Sequence, residues 1–215
     1  MSSSRSRRAW LQTGACLLAA PFLPGPATAS HGPVAEILTR SDRDGGRVWF
    51  DPAGLWIEPG TTVRWVNQAN VHTATAYHPA NDNHALRIPE NAEPWDSGYL
   101  VNPGDSFAVT LTEPGVYDYY CAPHEAAGMV GRIIVGEPSG PGSRPFDWFK
   151  DEPDKSRWKP VPEAARGSFP AIDEIMAKRV VPGPQEAGLA ETSMFLDVRR
   201  VRFRWRLTGA GTPGA

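Results

Sequence analysis

Across residues 34–135 the strongly patterned segments are four to six residues long, too short for helices, and most are bounded by proline or glycine. They are 47–50 (RVWF), 54–57 (GLWI), 62–66 (TVRWV), 106–111 (SFAVTL), 115–120 (GVYDYY) and 131–135 (GRIIV), all rich in β-branched and aromatic side chains. Between them stand Glu58-Pro59-Gly60, Asn102-Pro103-Gly104-Asp105 and Glu113-Pro114-Gly115, where proline presets a turn and glycine accepts a positive φ. A strand of this length cannot bury its apolar face alone. Six at this spacing predict an all-β fold, a Greek-key β-sandwich. Residues 76–98 (AYHPANDNHALRIPENAEPWDSG) break the rhythm, with too much Pro, Asn and Asp for a strand. That segment is predicted to be a loop or to carry a short helix.

After Gly136 the composition changes. Residues 137–143 (EPSGPGS) have linker composition, so the chain divides into a first domain over 30–137 and a C-terminal extension over 138–215. Within the extension, residues 170–181 (PAIDEIMAKRVV) are the best short helix. Ile172, Ile175, Met176 and Val180 share a face, acids come early and bases late, and Pro182-Gly183 ends it. Residues 194–207 alternate apolar side chains with arginines at 200, 202, 204 and 206, which fits an amphipathic strand and a disordered end equally.

The other end of the chain carries an export pattern. Ser6-Arg7-Arg8-Ala9-Trp10-Leu11-Gln12 resembles the twin-arginine signal, a short apolar stretch follows, and Ala27-Thr28-Ala29 offers a small-residue cleavage site. Residues 1–29 are therefore expected to be a removed signal, with an uncleaved anchor as the alternative, and the protein is expected in the periplasm or otherwise exported by the twin-arginine route. Removal takes Cys16 away and leaves Cys121 as the one cysteine. An unpaired thiol in an oxidising compartment is a liability unless something holds it.

Cys121, His124 and Met129 follow the spacing C-x2-H-x4-M on one short loop between two predicted strands. A thiolate, an imidazole and a thioether are soft and borderline ligands. With a second imidazole they make the donor set of a one-electron copper site. His72, just beyond the strand at 62–66, is the best fourth ligand. His31 lies at the expected mature terminus, and His78 and His84 lie in the irregular loop. The alternatives for Cys121 are a buried structural thiol or a catalytic Cys-His pair, and the second would leave Met129 idle. His78 and His84, with Asp82, are a weaker candidate for a second metal site.

Three stretches carry a family resemblance: 58–67 (EPGTTVRWVN), Pro103-Gly104-Asp105, and 115–131 (GVYDYYCAPHEAAGMVG). Over residues 34–136 the chain resembles the small blue copper proteins, or cupredoxins, of the plastocyanin, pseudoazurin and halocyanin branch. The resemblance implies a type 1 copper bound by His72, Cys121, His124 and Met129, in a β-sandwich that shuttles electrons rather than acting as an enzyme. Two positions depart from it. Thr73 stands where many members have Asn, and Ala122 where many have Ser or Thr, and groups so close to a metal tune its potential.

Charge limits the partners. Residues 30–137 hold six Arg, no Lys and fourteen Asp or Glu, whereas 138–215 hold thirteen basic and ten acidic residues. So acidic a first domain argues against nucleic acid and favours a redox protein with a basic docking surface, or the chain's own tail. Membrane contact stays open at the sequence level. A copper storage or delivery module is the alternative function. An oxidase-type copper enzyme would need histidine beside the cysteine, and Tyr120 and Ala122 stand there instead.

Overall fold

The computed structural model describes residues 32–184. The expected signal with Cys16, the terminal His31 and the 194–207 run all lie outside the described residues. None of the described helices is long and apolar enough to cross a membrane.

Among the described residues nine strands form two sheets. They are β1 (Val34–Ser41), β2 (Val48–Asp51), β3 (Gly54–Ile57), β4 (Thr61–Asn67), β5 (Thr75–Ala76), β6 (Ser106–Leu111), β7 (Gly115–Tyr120), β8 (Val130–Val135) and β9 (Val180–Val181). One sheet has the order β2-β1-β4-β6 and the other β5-β7-β8-β3-β9. Each mixes directions: β1 runs parallel to β4 and β3 parallel to β8, while β4 with β6 and β7 with β8 are antiparallel. All six predicted strands are present within a residue or so at each end. β1 was not among them, because VAEILTRS offers only every second residue to the core and lacks aromatic side chains. Residues 76–98 hold no helix. Asn81 ties this loop instead, its side-chain amide donating to the Ala76 and Trp95 carbonyls.

The core fills the space between the sheets. Ile37, Val63 and Trp65 from one side meet Leu55, Tyr117, Tyr119, Ile133 and Val135 from the other. The Trp65 and Tyr119 rings meet edge-on at 5.3 Å. Tyr119 also lies on Gly131, where a Cβ would fall 2.3 Å from the Tyr119 Cζ and Oη, so only glycine admits the ring there.

β7 and β8 are buried on both faces. Alternation sends Tyr117, Tyr119 and Cys121 inward and Val116, Asp118 and Tyr120 outward, and the extension covers that outer face as a third layer. Helix α1 (Glu163–Arg166) brings Ala165 to Tyr77, Tyr120 and Val130. Helix α2 (Ile172–Lys178) lays Ile172, Ile175 and Met176 on Val116 and Ile134. Full burial of an Ile or Met side chain contributes about 1.5–3 kcal/mol, so this face is a second core. The helix is shorter than 170–181 at both ends. Arg179 takes φ 65°, and Val180, expected on the helix face, pairs with Leu55 in β9.

The linker composition of 137–143 corresponds to a packed turn. Gly142 sits where a Cβ would be 2.5 Å from the Val116 carbonyl oxygen, and the Val116 amide donates to the Ser139 carbonyl at 3.0 Å. Two buried arginines fasten the extension down. Arg87 Nε and Arg132 Nε each donate to the Asp118 carboxylate at 2.7 Å, and Arg132 Nη2 adds a third bond at 3.0 Å. Their remaining donors go to carbonyls of the extension: Arg87 to Gly142 and Arg144, and Arg132 to Pro170.

Candidate metal centre

Cys121 is the first residue past β7, and alternation points it into the core. A 3₁₀ turn over Ala122–Ala127 follows, with Pro123 fixing its start. The His124 amide closes on the Cys121 carbonyl at 2.9 Å. Gly128, at φ 81°, reverses the chain, and the Met129 amide returns to the His124 carbonyl at 3.2 Å. The Cys121 amide then donates to the Met129 carbonyl at 3.0 Å. The spacing C-x2-H-x4-M is thus one short turn plus one reversal. It places Met129, fully buried, in the same apolar cluster as Cys121.

His72 arrives from the other sheet. Asn67 at the end of β4 is fully buried, and its side-chain amide donates to the carbonyls of Asn70, Leu100 and Asn102, which folds the intervening loop back. His72 then exchanges backbone hydrogen bonds with Leu100 at 3.1 and 2.8 Å. Its Nδ1 faces Cys121 Sγ at 3.6 Å, and its Nε2 meets the Ser41 hydroxyl of β1 at 3.2 Å. His124 Nδ1 lies 3.4 Å from the same sulfur.

Donor atoms of His72, Cys121 and His124 all fall within 4.8 Å of one another, and among the described residues no other group of three or more His, Cys, Asp or Glu side chains does so. His78 and His84 do not form a second cluster. His78 Nδ1 accepts from the Ala80 amide, and His84 turns to Glu125.

Thr73 braces the ligand loop. Its amide donates to Cys121 Sγ at 3.3 Å and its hydroxyl accepts from the Ala122 amide at 2.7 Å, so this one residue holds two consecutive residues of the cysteine loop. Thr75 and Asp96 extend the chain of bonds outward at 2.9 and 3.0 Å. Ser41, Thr75 and Asp96 escaped sequence reasoning, because they lie 25 or more residues from the ligand loop and no spacing links them to it. Glu125 was overlooked inside the loop itself.

Electrostatics favour a neutral site without metal. Burial, with His124 nearby, lowers His72 to about 4, and burial also lowers His124. Burial pushes the Cys121 thiol up to about 11. Two imidazoles and one sulfur, converging with no carboxylate among them, suit a soft or borderline ion such as copper rather than a hard one. His72, Cys121 and Met129 are buried, and His124 alone is half-buried, so one edge of the site reaches solvent.

Residues 37–136 match the family described as copper binding proteins, plastocyanin/azurin family. The chloroplast plastocyanin of Chlamydomonas reinhardtii is 38% identical over 102 residues, covering 47% of this chain and 68% of that protein. The plastocyanin of Scenedesmus fuscus is 33% identical over 101 residues, covering 46% of this chain and 99% of that one. Among solved structures, a pseudoazurin from Sinorhizobium meliloti is 33% identical, with a TM-score of 0.38, covering 49% of this chain and 76% of that one. The family match stops at Gly136, ahead of the extension. On its sandwich fold, its ligand-loop sequence and these relatives, the chain belongs to the plastocyanin/azurin family of copper binding proteins.

Proposed function

We propose that the protein is an exported one-electron carrier whose single type 1 copper is held by His72, Cys121, His124 and Met129. The observation that carries this reading is the convergence of one ring nitrogen from each of two histidines and one Sγ within 4.8 Å, beside a buried methionine. Bound there, copper supplies a reversible one-electron couple. The chain's part is to fix the donors. Ser41 and Leu100 hold His72, Thr73 holds the cysteine loop, and the Cys121–Met129 backbone pair closes it. Little then has to move when the charge changes.

His124 is the exchange edge. Ala122, Pro123, Ala126 and Ala127 are exposed around it and give a small apolar docking face. The acidic balance of residues 30–137 supports a basic redox partner, steered at low salt and less so at high salt. Burial of three of the four donors disfavours the delivery alternative, because a closed site releases metal slowly. The Arg7-Arg8 pattern supports twin-arginine export.

Addition of copper(II) to the metal-free chain should give an intense blue sulfur-to-copper band and a reversible one-electron wave. A colourless, redox-silent protein refutes the carrier. Cys121→Ser should abolish the colour, and Met129→Leu should keep it while shifting the potential. Rapid transfer of copper to a competing chelator would favour delivery, and a chain retained in the cytoplasm after fusion of residues 1–29 to a reporter would refute export.

A further inference from the structure

The extension reaches the ligand loop at two points, directly at one and through intervening side chains at the other. The first is Gly128, the reversal between His124 and Met129. A Cβ there would lie 2.5 Å from Ser168 Oγ and 3.6 Å from the Ala164 carbonyl oxygen, so the segment after α1 presses directly on the turn.

The second point is Glu125, whose two oxygens are both engaged. Tyr77 donates its hydroxyl to Oε1 at 2.7 Å, and His84 Nε2 meets Oε2 at 3.3 Å. Tyr77 is fully buried and His84 nearly so. The other ring nitrogen of His84 faces the Asn81 carbonyl at 2.9 Å and the Tyr120 hydroxyl at 3.2 Å. Neither partner of Glu125 stands free of the extension. The segment around His84 is laced to it: the Ala85 amide donates to the Lys159 carbonyl at 2.9 Å, the Lys159 amide to the Asn83 carbonyl at 2.8 Å, and the Asn83 side-chain amide to the Arg157 carbonyl at 2.7 Å. Tyr77 stacks in one aromatic group with Tyr120 and Phe169.

We infer that residues 141–184 are a brace for the ligand loop, with Glu125 and His84 as positioning residues that hold His124 and Met129 in place whether or not metal is bound. The extension lies outside residues 37–136, which match the family, whereas Glu125 and His84 lie within them. The inference deepens the carrier reading, in which a loop that does not rearrange exchanges electrons faster.

One arm of the test needs no copper. Amide hydrogen exchange on the metal-free full chain reports the loop through three hydrogen-bonded amides, those of His124, Gly128 and Met129. His84→Ala and Glu125→Ala should speed these by roughly tenfold or more, while amides of β4 and β7 keep their wild-type rates. Glu125→Gln, which keeps an acceptor for Tyr77, should recover part of the protection. Unchanged loop amides overturn the brace. A uniform rise over the whole chain overturns it too, since it would mean general destabilisation.

The second arm uses copper-loaded protein. His84→Ala and Glu125→Gln should keep the blue band but shift the potential and slow electron self-exchange several-fold. Wild-type self-exchange and potential in both variants overturn the role in electron transfer. Were the wild type to bind no copper, the carrier reading would fall, and the exchange arm would still decide the brace.

Discussion

Asp118→Asn removes one negative charge from a site that two cations were built around. The carboxylate is fully buried, and it takes three short charge-assisted bonds from Arg87 and Arg132, which are themselves 1% and 7% exposed. Breaking a buried ion pair from one side costs about 3–5 kcal/mol, because the remaining charge has nowhere to go. Here two charges remain. Against that, Arg87 keeps the carbonyls of Gly142 and Arg144 and the face of Phe146 at 4.3 Å, and Arg132 keeps the Pro170 carbonyl. A loss of about 4 kcal/mol is therefore expected, equivalent to roughly 8–16 °C in Tm for a domain of this size. Urea unfolding of the metal-free chain, followed by tryptophan fluorescence, measures it as a lower midpoint. Exchanging all three residues for apolar ones should not restore stability, since the extension carbonyls would lose their donors. A change under about 1 kcal/mol in Asp118→Asn would refute the argument that this triad fastens the extension.

Gly131→Ala drives a Cβ into the Tyr119 ring, which is held between Phe50 at 4.7 Å and Trp65 at 5.3 Å and cannot retreat. Overpacking of this kind should cost about 1–3 kcal/mol or more in a urea titration. Metal loading should release close to one proton near neutral pH, from a Cys121 thiol at about 11, and none from His72 at about 4. Calorimetry of zinc or copper(I) binding in buffers of different ionisation enthalpy checks that count. His84 is raised above 6.5: burial opposes protonation, but the hydrogen bond and charge of Glu125 outweigh it. Its contribution to metal-free stability is therefore fully present below the unfolded value near 6.5. It fades as pH rises through the higher folded value, so the urea midpoint should fall over that window in the wild type and not in His84→Phe.

The sandwich was legible because its strands are aromatic, β-branched and fenced by Pro-Gly. β1 was not, since a one-faced strand without aromatics looks like any polar stretch with four apolar residues in it. The ligand loop was legible for a local reason. A turn of fixed length sets Cys121, His124 and Met129 in register, and one strand end supplies His72. The parts that hold these residues are scattered over Ser41, Thr75, Tyr77, His84 and Asp96, and only the folded chain brings them to the loop. The extension misled for a related reason. EPSGPGS has the composition of a spacer, yet its glycines let backbone meet backbone and its Gly142 carbonyl accepts from Arg87, and neither property shows in composition.

The pairing of Gly54 and Leu55 with Val181 and Val180 joins segments far apart in the described chain. Contacts so distant in sequence are slow to find, because the loop between them must first be closed. During synthesis the inner core can assemble once residue 135 has emerged, but the edge of β3 and the outer face carrying Val116 and Ile134 stay bare until residues 172–181 follow. For that interval the nascent chain exposes a sheet edge and an apolar face together, a combination that invites pairing with another chain. A chaperone, or fast growth of the final segment, would protect it best during that interval.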